Sequence, residues 1–388
     1  MSYFIDVSFD SVNKHGEELC GDNVEIFQNE ESTFIVLADG LGSGVKANIL
    51  ATMTTKMAGT MLRDGLSIAE TVDTITNTLP VCSVRKLAYS TFGIIQISKD
   101  KKCHIIEYDN PPVFIIRGGK ILEIDKKEHV INGRLVQESF FEIKLDDVLV
   151  LVSDGVIHAG VGAILNLGWQ WENVADYLLK NVPKEKCAEN ISKELLDVCK
   201  CLYDNKPGDD TTVAAVKIRE PEVIDLFTGP PEDEKQDAKL VSDFIKNRGK
   251  KIVCGGTAAK IVARELNREM NVDLDYISSD VPPTAHIKGI DLVTEGVLTL
   301  SKAIDIVKEY CHSSADEVIT LKEKDGATLL AKMLIEDCTH LNLWIGKAVN
   351  PAHQNPDFPI DLSIKLKVVE NLERTMLGLG KIVKVNYY

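Results

Sequence analysis

Apolar and polar positions alternate with a period of two through much of the first 219 residues. This pattern predicts strands at Phe4–Phe9, Val24–Phe27, Thr33–Ala38, Ser90–Ile97, Lys102–Tyr108, Val113–Arg117, Lys120–Ile124, Ser139–Ile143, Val148–Ser153 and Thr212–Ile218. Most are joined by turns too short for a crossover helix, Arg117-Gly118-Gly119-Lys120 among them, so antiparallel hairpins are expected. Apolar residues recur at three and four over Lys46–Arg63, over Ser67–Thr78 and between Trp171 and Leu202, the spacing of amphipathic helices. Many antiparallel strands with few helices predict an α+β domain over residues 1–219: two antiparallel β-sheets sandwiched by helices.

The texture changes after Arg219. Glu220-Pro221-Glu222 and Thr228-Gly229-Pro230-Pro231-Glu232-Asp233-Glu234 form an acidic, proline-containing stretch that reads as a boundary. Beyond it strands and helices alternate: Lys251–Cys254 into Thr257–Glu269, Asp291–Thr294 into Leu298–Tyr310, Thr328–Asp337 into Leu341–Ile345, and Ile360–Leu379 into Ile382–Tyr388. Residues 220–388 are therefore expected to form a smaller α/β domain with a parallel or mixed sheet. A length of 388 residues suits two domains, each large enough to bury a core.

Composition narrows the function. The net charge of -15 disfavours non-specific nucleic-acid binding, which needs a cationic face. The N-terminal decapeptide lacks the basic and apolar segments of a signal peptide, and no apolar run approaches the roughly 20 residues of a membrane span, so a cytoplasmic protein is expected. Nine cysteines without a Cys-x-x-Cys pair indicate neither a disulfide framework nor a zinc ribbon, and Cys199-x-Cys201 is a weak signal.

Four acidic motifs lie at strand ends: Gly21-Asp22-Asn23, Ala38-Asp39-Gly40-Leu41-Gly42-Ser43-Gly44, Ser153-Asp154-Gly155 and Gly208-Asp209-Asp210-Thr211-Thr212. Hard divalent cations prefer such oxygen ligands, and a glycine beside the aspartate lets backbone approach a metal. A single Asp-Gly step is more often a turn. Four in one domain, each at a strand end, favour metal chemistry.

The order of these motifs resembles the PPM-type protein phosphatases, and most of all the bacterial class typified by stage II sporulation protein E and the stress-response phosphatases. Tyr108-Asp109-Asn110-Pro111-Pro112-Val113 followed by Arg117-Gly118-Gly119 resembles a further marker of that class. The resemblance covers residues 1–219. It implies a serine/threonine phosphatase with two divalent cations, Mn²⁺ or Mg²⁺: Asp39 bridging both with the Gly40 carbonyl beside it, Asp154 and Asp209 on the other metal, and Asp22 acting directly or through water. Asp209 occupies the first position of the Asp-(Asp/Asn)-x-(Ser/Thr) pattern, which leaves Asp210 for a backbone bond. A water between two cations attacks phosphorus in line without a covalent phosphoenzyme. The implied substrate is a phosphorylated regulatory protein, such as an anti-sigma-factor antagonist.

Two parts of the pattern are unfilled. No basic residue near Asp22 matches the phosphate-binding arginine of eukaryotic relatives, although Lys14 and His15 are close in sequence. His158 is a candidate leaving-group acid against a more frequent packing role. Helices in the position of Lys46–Arg63 act as a switch in the class it resembles, while Met53, Met57 and Met61 also suit plain core packing. In the second domain Cys254-Gly255-Gly256-Thr257-Ala258 links a strand to a helix as an anion-binding turn does, with Thr257 able to cap, and Thr294-Glu295-Gly296 and Gly229-Pro230-Pro231 stand in similar places. Gly255, Gly256 and Thr257 are thus candidates for a small-molecule site. Competing readings are a signalling scaffold or ligand-sensing module on a phosphatase fold, and hydrolysis of a small phosphorylated metabolite; the oligomeric state is open, a homodimer included.

Overall fold

Val148–Val152 is five consecutive apolar residues, all buried, and a strand apolar on both faces needs a layer on each side. The computed structural model describes residues 3–79, 90–131, 134–273, 281–312, 321, 324–348 and 364–388, and the chain divides into two units, Met1–Glu220 and Pro221–Tyr388. The first runs β1 (Phe4–Val12), β2 (Asp22–Gln28), β3 (Ser32–Gly40), α1 (Gly44–Arg63), α2 (Ile68–Thr78), β4 (Ser90–Ser98), β5 (Lys102–Tyr108), β6 (Phe114–Arg117), β7 (Lys120–Ile121), β8 (Lys126–Ile131), β9 (Arg134–Glu142), β10 (Val148–Val152), α3 (Asp154–Ile157), α4 (Trp171–Asn181), α5 (Ala188–Leu202) and β11 (Thr211–Arg219).

These strands make two antiparallel sheets, β1-β11-β10-β6-β7 and β2-β3-β4-β5-β9-β8. Alternate residues of one strand serve two cores. Ile35 and Leu37 meet Leu149, Leu151, Ala214 and Val216 between the sheets. Val36 and Ala38 face outward onto Ala51 and Ala58 of α1 and Val72 and Ile75 of α2. On the far side Val148, Val150 and Val213 pack on Leu178 of α4 and Leu195 of α5. Four layers result, helix, sheet, sheet, helix, and each strand end opens at an edge of the sandwich.

The short helix α3 and the strand β8 escape the periodicity reading: α3 is one turn long, and β8 is polar, with five of its six residues exposed. Of the methionines of α1, Met57 packs against the core, and none is fully buried. The helix buries Ala47, Ala51, Thr54, Thr55, Ala58, Gly59 and Leu62, whereas Met53 is 46% exposed and Met57 and Met61 are half-buried.

The second unit runs β12 (Val223–Thr228), α6 (Asp237–Lys246), β13 (Lys250–Cys254), α7 (Gly256–Glu265), β14 (Met270–Val272), β15 (Ala285–Ile287), β16 (Leu292–Thr294), α8 (Val297–His312), α9 (Gly326–Lys332), β17 (His340–Ile345), α10 (Ile364–Gly378) and β18 (Ile382–Tyr387). The start of the helix expected from Ile360 lies outside the described residues. Its sheet is mixed, in the order β14-β15-β16-β13-β12-β17-β18. β16 through β18 are parallel neighbours, and β14 and β15 add an antiparallel edge. Counted along the chain, the parallel strands stand in the order 3-2-1-4-5 of a doubly wound sheet.

The centre of the five parallel strands is β12, inside the stretch that the sequence marks as a boundary. Asp225 interrupts its apolar run, yet it is fully buried. Its Oδ2 accepts from Lys251 Nζ at 2.7 Å, and its Oδ1 from Asn247 Nδ2 at 2.7 Å, Asn342 Nδ2 at 3.0 Å and Trp344 Nε1 at 3.0 Å. Donors from β13, β17 and the end of α6 make a polar residue acceptable in a central strand.

Candidate metal centre

Asp22 and Asp39 are direct cross-strand partners in the β2–β3 ladder. Like charges placed opposite one another weaken a sheet, so the pair needs a reason outside folding. The reason converges from other elements. Val152 pairs with Val213, and Ser153 N donates to Thr212 O at 3.1 Å, which sets Asp154 at the head of α3 beside the start of β11. The Asp209–Asp210 turn is braced there: Asp210 N donates to Asp209 Oδ1 at 3.1 Å, Thr211 Oγ1 to Asp209 O at 3.0 Å, and Lys14 N to Asp210 Oδ1 at 3.0 Å.

The carboxylates feel one another. Burial, then the charges of Asp22, Asp154, Asp209 and Asp210, push Asp39 up to about 9. Burial raises Asp22 to about 7, with Asp210 and Asp154 adding to it. The Thr212 and Ser153 hydroxyls lie near enough to oppose that rise, but neither meets Asp22 in hydrogen-bond geometry, and Thr212 Oγ1 instead bonds Ser11 Oγ at 2.9 Å. Both Asp22 oxygens are buried without a hydrogen-bond partner. Asp154 is raised by burial, against the charge of nearby His158. Asp209 is raised by burial and then by Asp154, while Lys14 opposes both.

These side chains suit hard divalent cations: oxygen donors from four separate segments, mutually repelling, with a buried unpaired carboxylate at the centre. They are close neighbours rather than a closed shell, since among the described residues no three acidic, histidine or cysteine side chains already form a metal-holding group. Gly40 completes the setting. A Cβ there would overlap the Ala47 carbonyl of α1, so only glycine brings β3 this close to that helix.

Other motifs resolve into supports. Asn110 Nδ2 donates to Pro111 O at 3.1 Å and to Val152 O at 3.2 Å, holding the end of β10 just before Asp154. Arg117 forks onto buried Asp147, Nε to Oδ1 at 2.7 Å and a terminal nitrogen to Oδ2 at 2.6 Å, and so braces a sheet edge. His158 is exposed. Tyr203, with no signal in the sequence, donates its hydroxyl to Gly155 O at 2.9 Å. Gly255, Gly256 and Thr257 lie in the second unit at the start of α7.

The family model of stage II sporulation protein E (SpoIIE) matches residues 29–219. This stretch, just under half of the chain, is similar to the SpoIIE family. The SpoIIE match takes in three of the four acidic motifs and all the strands from β3 to β11. Stage II sporulation protein E of Bacillus subtilis strain 168 is 23% identical over 222 residues, 56% of this chain and 26% of the relative. Its counterpart in Priestia megaterium is 23% identical over 223 residues, 56% of this chain and 37% of the relative. The chain thus spans about a quarter to just over a third of the SpoIIE proteins it matches. A solved PP2C phosphatase domain with a fragment of the regulatory domain of B. subtilis SpoIIE is 20% identical, with a TM-score of 0.48 over 56% of this chain and 62% of that one.

Proposed function

We propose that residues 1–219 hydrolyse phosphoserine or phosphothreonine on a phosphorylated regulatory protein of a bacterial switch, such as an anti-sigma-factor antagonist. Asp22, Asp39, Asp154, Asp209 and the Gly40 carbonyl would hold two divalent cations, Mn²⁺ or Mg²⁺. When bound, such ions supply positive charge for the phosphoryl oxygens and lower the pKa of a water to near neutrality.

The residues of the chain do the rest. The β2–β3 register sets Asp22 against Asp39, and Asn110 and Tyr203 fix the two sides of the Asp154 turn. Asp210 holds the Lys14 backbone, which keeps the Lys14 charge beside Asp209, where a substrate phosphoryl group would arrive.

The observation that carries this reading is the buried, unpartnered Asp22 facing Asp39. A signalling scaffold gains nothing from an unpaired carboxylate whose burial costs stability. Cys20, Cys103, Cys199, Cys201 and Cys254 are thiols, which supports placing the reaction in the reducing cytoplasm.

The test is Mn²⁺-dependent phosphate release from a phosphoserine protein, run beside Asp39→Asn. The variant is expected to lose at least ~100-fold in rate, the upper end of what disturbing a metal ligand's support costs. It should also lose the rise in melting temperature that Mn²⁺ gives the wild type through mass action. Equal rates would remove the enzymatic reading.

A further inference from the structure

In the second unit the strands β13 and β16 are adjacent and parallel, with Cys254 paired to Thr294 at their carboxyl ends. Ligands of doubly wound sheets bind outside the carboxyl ends of the strands. Here each strand passes directly into a helix, and the two turns touch: Gly255 N donates to Thr294 O at 3.0 Å. A Cβ on Gly296 would meet only Gly255 Cα, at 3.4 Å. Gly255 has φ 120° and ψ 132°, a backbone shape that side chains exclude.

The turn leaves donors free. The first bond of α7 runs from Ala259 N to Gly255 O at 2.9 Å, so the amides of Gly256, Thr257 and Ala258 lack partners within the helix. No side chain caps α7, its first turn holds no acidic residue, and a Cβ on Gly256 would meet nothing within 4 Å. Gly256 and Thr257 are exposed and Ala258 is buried behind them, so the uncapped tip of α7 is an anion-binding end.

A second, separate observation lies on the facing turn. Thr299, in the first turn of α8, is 1% exposed and its Oγ1 has no hydrogen-bond partner. Helical side chains lean toward the N-terminus of their helix, here toward the strand ends. The buried Oε2 of Glu295 also lacks a partner. Glu295 follows Thr294, the partner of Cys254 at the end of β13. An acceptor-only carboxylate and a hydroxyl, both unsatisfied, call for a ligand bearing hydroxyl groups. The amides opposite call for an anion.

We propose that the facing N-terminal ends of α7 and α8 bind a phosphorylated sugar, its phosphate on the amides of Gly256 and Thr257 and its hydroxyls on Glu295 and Thr299. The sugar is either free or the ribose phosphate of a nucleotide. A glycine turn after one parallel strand and an acidic residue after its neighbour repeat the division of labour by which doubly wound folds take phosphate and ribose.

The test is isothermal titration of the full chain with AMP, NAD, ribose 5-phosphate and inorganic phosphate. Saturable binding of AMP or ribose 5-phosphate is expected. Gly256→Asp sets a carboxylate on the phosphate position in open space, and should weaken that binding at least ~10-fold, about 1.4 kcal/mol. Glu295→Gln should weaken the sugar-bearing probes while leaving inorganic phosphate unchanged. Circular dichroism checks that both variants are folded, and either one decides the question alone. Equal binding of ribose 5-phosphate and AMP assigns a free sugar phosphate, and tighter AMP or NAD assigns a nucleotide. No saturation by any probe up to about 1 mM, a weak limit on the affinity scale, would overturn the proposal. So would unchanged affinity for the sugar-bearing probes in both variants.

Discussion

Asp22 and Asp39 show how a residue chosen for chemistry works against the fold that carries it. They oppose each other across β2 and β3, where two carboxylates repel. Glycine-flanked aspartates at strand ends are legible in sequence because turn chemistry and ligand chemistry use the same residue types. Their supports are not: Lys14 meets Asp210 across 196 residues and Tyr203 meets Gly155 across 48, with nothing local to mark either contact. His104 tells the same story away from the site. Its ring stacks on Phe140 at 4.1 Å between centroids, and its Nε2 lies 2.8 Å from Glu138 Oε1. Burial holds its pKa below the ordinary 6.5 of a histidine, with Glu138 opposing. The folded state therefore binds this proton less readily than the unfolded chain, so stability is lost as pH falls through 6.5. Asp22 and Asp39, both raised, pull the other way, so the His104 contribution is read as the urea midpoint of the wild type minus that of His104→Gln, a difference that should fall between about pH 8 and about pH 5. A difference that stays level across that range would show that other groups govern the pH dependence.

At the scale of elements, α1 and β3 are bound into one piece. The helix meets its sheet through Ala47, Ala51 and Ala58, small residues that let the backbones approach, and Gly40 lies under the Ala47 carbonyl. Gly40→Ala should force the two apart, costing about 1–3 kcal/mol as overpacking does. A lowered melting temperature together with weaker Mn²⁺ dependence of phosphate release is the expected result; a variant with wild-type values for both would separate the helix from the metal loop. Methionines at spacing of four in α1 suggest a core face to sequence reading, but hydrophobicity alone does not say which face is turned inward. Small residues took most of it, with Met57 packed at its margin, because close helix-to-sheet contact rewards size over apolarity. The strands were legible almost throughout the first unit, since alternation survives wherever both faces are covered.

At the scale of the molecule, the same limit appears in β12. A strand with a charge in its middle reads as a boundary, and only β13, β17 and α6 together supply the donors that let Asp225 stay buried. Asp225→Ala strands Lys251, 7% exposed, without its counter-ion. Breaking such a pair costs about 3–5 kcal/mol. Urea unfolding followed by Trp344 fluorescence should show that loss, and a shift under about 1 kcal/mol would mean that Lys251 finds another acceptor. By itself the sequence determined the two antiparallel sheets with flanking helices, the change of architecture after residue 219 and the aspartates at strand ends, because each of these is written in local periodicity or in adjacent residues. Only the tertiary structure decided that Asp22 faces Asp39, that five carboxylates share one field, that β12 is the middle of its five parallel strands and that the turns of β13 and β16 meet. Those relations depend on pairings between distant segments, and side-chain spacing along one strand carries no record of its neighbour.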